Sequence, residues 1–392
     1  MSQSKKLIPK RRFKGFIEDW ILSILGISKD VRDGTHDSPS YYKKGFPLIT
    51  SKNLTDSGLD MDNVSLISQS DFDTINKRSK VNSGDILFGM IGTIGNPVLV
   101  NQDNFAIKNV ALIKEGGEIL NIFLLQVFKS KIFDKYISSQ HVGNTQKFLA
   151  LSKIRELNLF IPSIKEQTKI GEFFKKLDNL ISTQQKKLEK AKTLKSAYLR
   201  EMFPNEGELK PRLRFIGFTK DWYIKEINNL ANRYDNLRIP ITASNRKVGL
   251  TPYYGANGIQ DHVQGFTHDG EYILIAEDGA NDFKNYPVQY VKGKIWVNNH
   301  AHVLQGKTGI CDNKFLMNAF KNINIEPYLV GGSRAKLNSD TMMNITLKVP
   351  NQPEQTKIGN FFKLFDDKIA LEQKKLDKLK NIKQAYLNEM FV

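Results

Sequence analysis

His300 and His302 stand two residues apart in a strand-like run, so both would face one side of it, where paired imidazoles can hold a metal ion. No further ligand stands at a metal-site spacing from them, which favours structural or nucleic-acid contact roles. Glu277-Asp278 is an acidic pair on a loop after a strand, but the other carboxylates and the lysine of a nuclease site are not recognisable. A carboxylate there can instead accept from a cytosine amino group. Gly89, Gly92 and Gly95 recur every third residue, unlike the G-x-G-x-x-G dinucleotide fingerprint, and their strand-like setting points to a turn or a close backbone approach. The chain has neither a Walker A loop nor the Asn/Asp-Pro-Pro-aromatic tetrapeptide of amino-methyltransferases. No catalytic residue and no metal ligand is assigned.

The elements that must position these residues are repeated. Residues 162–203 and 350–391 align without a gap at an offset of 188, with 25 of 42 positions identical. Residues 9–20 (PKRRFKGFIEDW) and 211–222 (PRLRFIGFTKDW) share 7 of 12 at an offset of 202. The enclosed inserts, 21–161 and 223–349, differ in length and share little visible sequence. One scaffold task is performed twice, around two different recognition tasks. The expected segments are 1–161, 162–210, 211–349 and 350–392.

Composition is that of a soluble globular protein, with 40% hydrophobic and 25% charged residues. The single cysteine, Cys311, excludes an intramolecular disulfide and a cysteine-based zinc cluster, and suits a reducing compartment. The basic start followed by apolar residues 20–27 has no cleavage pattern, and no run approaches the length of a membrane span, so a cytoplasmic protein is expected. The net charge of +17 points to a polyanionic partner, although neither insert holds a large share of it.

Each long repeat reads as one helix. Its apolar seam is Ile170, Phe174, Leu177, Ile181, Leu188, Ala191, Leu194 and Tyr198, matched by Ile358, Phe362, Phe365, Ile369, Leu376, Leu379, Ile382 and Tyr386. Gln184 and Glu372 interrupt the seam with polar side chains. From 170 to 202 such a helix would be roughly 50 Å long, and alone it would be marginal in water. The expectation is an antiparallel coiled coil between the copies; the competing reading packs each helix on its own insert. The inserts themselves read as mixed helix and strand, with strand alternation at Ile273, Ile275, Ile295 and Val297 and short helices over 119–136 and 313–322. Each insert ends in a polar loop, 143–147 or 332–336, whose backbone N–H groups, hydroxyls and cation suit phosphate or base edges.

Two variable inserts, each followed by P-x-x-x-E-Q-x-x-I and a helix ending in A-Y-L-x-x-M-F, resemble the specificity subunit of type I restriction–modification enzymes. DGTHDSP from Asp33, PLITSKNL from Pro47, GDILFGMIGTIG from Gly84, YYGANGI from Tyr253, EYILIAEDGAN from Glu271 and WVNNHAHVL from Trp296 share this resemblance, which covers essentially the whole chain. It implies a mixed α/β (α+β) fold with two target recognition domains joined by two long helices in an antiparallel, pseudo-twofold coiled coil. Each domain would read one half of an asymmetric site in double-stranded DNA. The helices would set the spacer and dock two methyltransferase subunits, with restriction/translocase subunits completing the complex. S-adenosylmethionine, ATP and Mg2+ would sit on those partners, and this chain would catalyse nothing.

Loop position and side-chain type nominate His36, Ser51, Lys52, Asn53, Thr145, Gln146 and Lys147 as DNA contacts in the first insert. In the second they nominate Tyr253, Tyr254, Asn257, Asn298, Asn299, His300, Ser333, Arg334 and Lys336. The alternatives are a self-contained nuclease or methyltransferase, a scaffold with protein-binding inserts, and the specificity component of a related system whose cleavage and methylation partners are fused.

Overall fold

Each insert opens and closes on a pair of antiparallel strands. Ile21–Ile24 pairs with Asn158–Ile161, with Ile21 opposite Ile161, and Tyr223–Glu226 pairs with Thr346–Val349, with Tyr223 opposite Val349. These partners are the first and last residues of the inserts bounded by the sequence repeats, so each insert leaves the frame and returns to it at one place. The computed structural model describes residues 8–56, 58–140, 148–332 and 335–392. No helix among them is long and apolar enough to cross a membrane.

Contacts divide the chain into two units, Met1–Lys186 with Lys374–Val392, and Lys187–Gln373. The long helices, Ile164–Glu201 and Gln352–Glu389, each contribute residues to both units. In the first unit Phe173 meets Tyr386 edge-on at 4.8 Å, and Asp178 pairs with Lys383 at 2.6 Å. In the second, Lys195 pairs with Asp366 at 2.5 Å and Tyr198 meets Phe361 at 5.2 Å. Contact numbers climb on one helix as they fall on the other, so within each unit the helices run antiparallel. Both packing expectations hold in part, because Ile170 and Phe174 also enter the core of the first insert, and Ile358 and Phe362 that of the second.

Ile170, Phe174, Leu177, Leu188, Ile358, Phe362 and Leu376 are buried on the seam, and Ile181, Phe365, Ile369 and Leu379 are half-buried. Leu194 is a correction, being 38% exposed. Six residues past Leu188, at about 100° of rotation per residue, it points about 120° away from that seam position.

The E-Q pair of the repeat locks helix to frame. Glu166 accepts two bonds from Arg12, both at 2.7 Å, and Glu354 accepts two from Arg214 at 2.6 and 2.8 Å. Gln167 accepts from Leu120 N–H and donates to the carbonyls of Glu118 and Pro162. Gln355 accepts from Asp312 N–H and donates to those of Ile310 and Pro350. All four side chains of the two E-Q pairs are buried, which answers the need of buried polar groups for partners. Gly171 and Gly359, inside the long helices, allow the close approach of the short helices Asn121–Phe128 and Asn313–Lys321. A Cβ at Gly171 would lie 2.6 Å from Ile122 Cγ1, and one at Gly359 would lie 2.9 Å from the backbone nitrogen of Phe315.

The inserts share one strand order despite their sequences. The first sheet runs Val31–Asp33, Val110–Ile113, Ile86–Gly89, Gly95–Leu99. The second runs Ala231–Arg233, Ala301–Gly306, His268–Ala276, Val288–Val297, then adds Val248–Gly255 and Gly258–Val263. Ile273, Ile275, Ile295 and Val297 are buried, as their alternation predicts. In the first insert a separate three-stranded sheet joins Ser65–Ile67, Phe46–Ile49 and Ala106–Ile107.

Candidate nucleic-acid interface

Loops at matching ends of the two sheets gather the candidate residues. In the first unit the loop after Val31–Asp33 carries His36, whose Nδ1 faces Asn109 Oδ1 at 2.8 Å and whose Nε2 faces Asp33 Oδ2 at 2.9 Å. Asn109 reaches this place from a left-handed backbone conformation, φ 55°, in a two-residue break between strands. Arg78 pairs with the other oxygen of Asp33, and Lys108 Nζ donates to Ser38 Oγ at 2.5 Å. His36 is therefore an exposed imidazole with an acceptor at each nitrogen. Those bonds, Asn109 first and Asp33 second, hold its pKa above the ordinary 6.5 against burial and the charge of Arg78.

A proton held more tightly in the folded loop stabilises it below the ordinary imidazole value, and that contribution is lost as pH rises through the raised value. In an NMR titration His36 releases its proton above pH 6.5, and Asn109→Ala brings the midpoint down. A midpoint at or below 6.5 in the unaltered protein would contradict the geometry.

In the second unit His300 occupies the turn before its strand and pairs with Asp278, while its backbone N–H donates to Asn298 Oδ1 at 2.8 Å. His302 is fully buried, with Nδ1 at 2.7 Å from Asp235 and Nε2 donating to the carbonyl of Leu337 at 2.8 Å. The two imidazoles thus serve different carboxylates instead of converging on one ligand. Folding does bring Asp235 and Glu277 to His302, with their candidate ligand atoms within 4.8 Å of one another, a grouping no sequence spacing revealed. Positive charge there comes from Arg238 and Lys336, which bond Glu277 at 2.5 and 2.8 Å. Burial alone would raise both carboxyls. His302, Val303 N–H and Arg238 outweigh it at Asp235, and Lys336 and Arg238 outweigh it at Glu277, so both lie below the usual carboxylate range.

Several nominated side chains support loops rather than face outward. Ser51 and Asn53 are buried, Ser51 donating to the Asn109 carbonyl and Asn53 closing its own turn with Thr50, Asp60 and Asn63. Tyr253 is 1% exposed, its hydroxyl bonded to both backbone groups of Ile241 and its ring covered by Arg246 at 4.2 Å. Asn298 is buried beneath its turn, and Tyr254 is half-buried, its phenol pKa raised by desolvation. Ser51, Asn53, Tyr253 and Asn298 thus spend their polar atoms on the protein itself, whereas Tyr254 stands half-buried in the strand Val248–Gly255.

Lys52 and Asn299 are exposed. Asn257 is exposed too, but its amide ties Gly279 and Asn281. Lys336 bridges back to Asp278 through its backbone. Thr145, Gln146, Lys147, Ser333 and Arg334 lie outside the described residues. Arg78, Lys108 and Arg238 were missed. Lys108-Asn109, a polar pair between two apolar strand fragments, was the available signal. Cys311 is no nucleophile, since burial first and Asp312 second push its thiol up to about 12.

The model of the family described as type I restriction modification DNA specificity domain matches residues 34–193 and 219–381, one match over each insert and its helix. The chain belongs to that family. A putative type I restriction enzyme specificity subunit of Haemophilus influenzae is 44% identical over 142 residues, 36% of each chain. The putative MjaX specificity subunit of Methanocaldococcus jannaschii is 24% identical over 404 residues, covering 95% of this chain and 92% of that one. Among solved structures, the type I restriction–modification S subunit of M. genitalium superposes with a TM-score of 0.72 over 98% of this chain and 99% of its own, at 16% identity. That likeness extends the specificity-subunit fold, two mixed helix-and-strand domains with long helices, to this chain.

Proposed function

We propose that this specificity-family chain is the non-catalytic DNA-reading subunit of a cytoplasmic type I restriction–modification complex. Each unit reads one half of an asymmetric bipartite site, and the long helices set the spacer and dock two methyltransferase subunits. S-adenosylmethionine, ATP and Mg2+ belong to the methyltransferase and restriction/translocase partners. The observation that carries this reading is one strand order bearing two different rims. His36, Lys52 and Lys108 stand in one loop cluster, and Asn299, His300 and Lys336 in the other. Shared architecture with unlike side chains is what two unlike half-sites demand, since base edges are told apart by donor and acceptor patterns.

The test is to sequence methylated bases in cells expressing this chain with its methyltransferase partner, before and after residues 223–349 are exchanged for another insert. One half of the methylated motif changes, while the other half and the spacing persist. A motif altered in both halves, or methylation unaffected by the exchange, would refute the assignment.

A further inference from the structure

Inside the divergent inserts one short helix is the same. Asn121–Phe128 with Lys129 reads NIFLLQVFK and Asn313–Lys321 reads NKFLMNAFK, with Asn, Phe, Leu, Phe and Lys at equal places. The two helices dock alike. Phe123 meets Trp20, and Phe315 meets Trp222, in both cases at 5.8 Å and 67°. Asn121 bonds the carbonyls of Gly84 and Ile113, and Asn313 bonds the carbonyl of Glu271 and the N–H of Gly306. Four of the five shared residues are thereby explained by packing and buried hydrogen bonds. The lysine is not.

Lys129 ends its helix near the Asp178–Lys383 pair, and Lys321 ends its helix near the Lys195–Asp366 pair. Neither ammonium has an ion pair or hydrogen bond among the described residues. Desolvation first, and then Lys383 or Lys195, lowers the pKa of each, with the neighbouring aspartate (and Asp56 in the first unit) acting the other way. Lys129 is half-buried and Lys321 exposed, each beside an aspartate already paired with another lysine. In the first unit this place is a cleft whose walls also carry Lys380 and Asp134.

We propose that Lys129 and Lys321 are twin backbone-phosphate contacts, one in each reader, that hold DNA without regard to sequence. The inference rests on the DNA-reading assignment above. A residue common to two readers that otherwise differ should meet the part of the ligand that both half-sites share, and in duplex DNA that part is the phosphodiester backbone. Lysine suits it as a point charge on a flexible stem.

The test uses the full chain assembled with its methyltransferase partner, titrated across a salt series with duplexes carrying the methylated motif and with random duplex. Lys129→Gln and Lys321→Gln each reduce the slope of log affinity against log salt by about 0.9, and the double variant by about 1.8. Affinity falls by the same factor on both duplexes, the methylated motif is unchanged, and Lys129→Arg and Lys321→Arg retain the slope. Unchanged slopes alongside normal wild-type binding would overturn the phosphate contacts and leave the DNA-reading assignment standing. So would loss of the methyltransferase partner on gel filtration, which would make the lysines a protein-docking feature. A wild-type complex that binds no DNA removes both.

Discussion

Arg214→Ala lowers the stability of the second unit by roughly 3–5 kcal/mol, the cost of leaving a buried carboxylate without its cation. Glu354 has no exposed surface, and both of its oxygens are held by that one guanidinium. The pair joins the segment entering the second insert to the helix leaving it, 140 residues later in the chain. Arg12→Ala does the same to the first unit through Glu166. Replacing both partners, as in Arg214→Met with Glu354→Met, restores most of the loss, because the penalty belongs to the orphaned charge rather than to the missing attraction. Denaturant midpoints followed by hydrogen exchange in each unit supply the measurement. A loss under about 1 kcal/mol for Arg214→Ala would mean that Glu354 finds water, and the lock would be no lock.

Phe391→Ala destabilises the first unit by about 3–5 kcal/mol, and Phe203→Ala does the same to the second. Phe391 lies against Phe123, Phe174 and Trp20 at 5.7, 6.0 and 6.4 Å. Phe203 lies against Phe315, Trp222 and Phe362 at 5.6, 5.7 and 6.2 Å. The M-F ending of one repeat copy therefore completes the core that holds the start of the other. Exchange measured residue by residue should accelerate in one unit per substitution. Acceleration confined to the helix end that carries the substitution would refute the shared core.

The repeats made much of this legible. Because 9–20 and 162–203 recur, their edges marked Ile21 and Ile161, and these residues prove to face each other across a strand pair. The seam was legible wherever spacing kept near 3.5 residues, and it failed at Leu194, where two successive steps of three rotate the side chain out. Site residues were harder. Ser51, Asn53 and Tyr253 have the side chains of DNA contacts, the first two in a short turn and the third in a strand, yet whether such a side chain faces out or props its own surroundings is decided by partners distant in sequence, such as the carbonyls of Asn109 and Ile241. His302 illustrates the same limit, since Asp235 lies 67 positions earlier. The N-x-F-L-x-x-x-F-K echo was present in the sequence but too short to stand out among dissimilar inserts.

The two units differ in when they can be finished on the ribosome. Lys187–Gln373 is a single continuous stretch, so its core can close as soon as that stretch has been made. The other unit must wait for Lys374–Val392, and until then Trp20, Phe123 and Phe174 lack Phe391. Throughout synthesis of the second insert, the nascent first unit carries an open aromatic socket, the kind of surface that chaperones hold and neighbouring chains can invade.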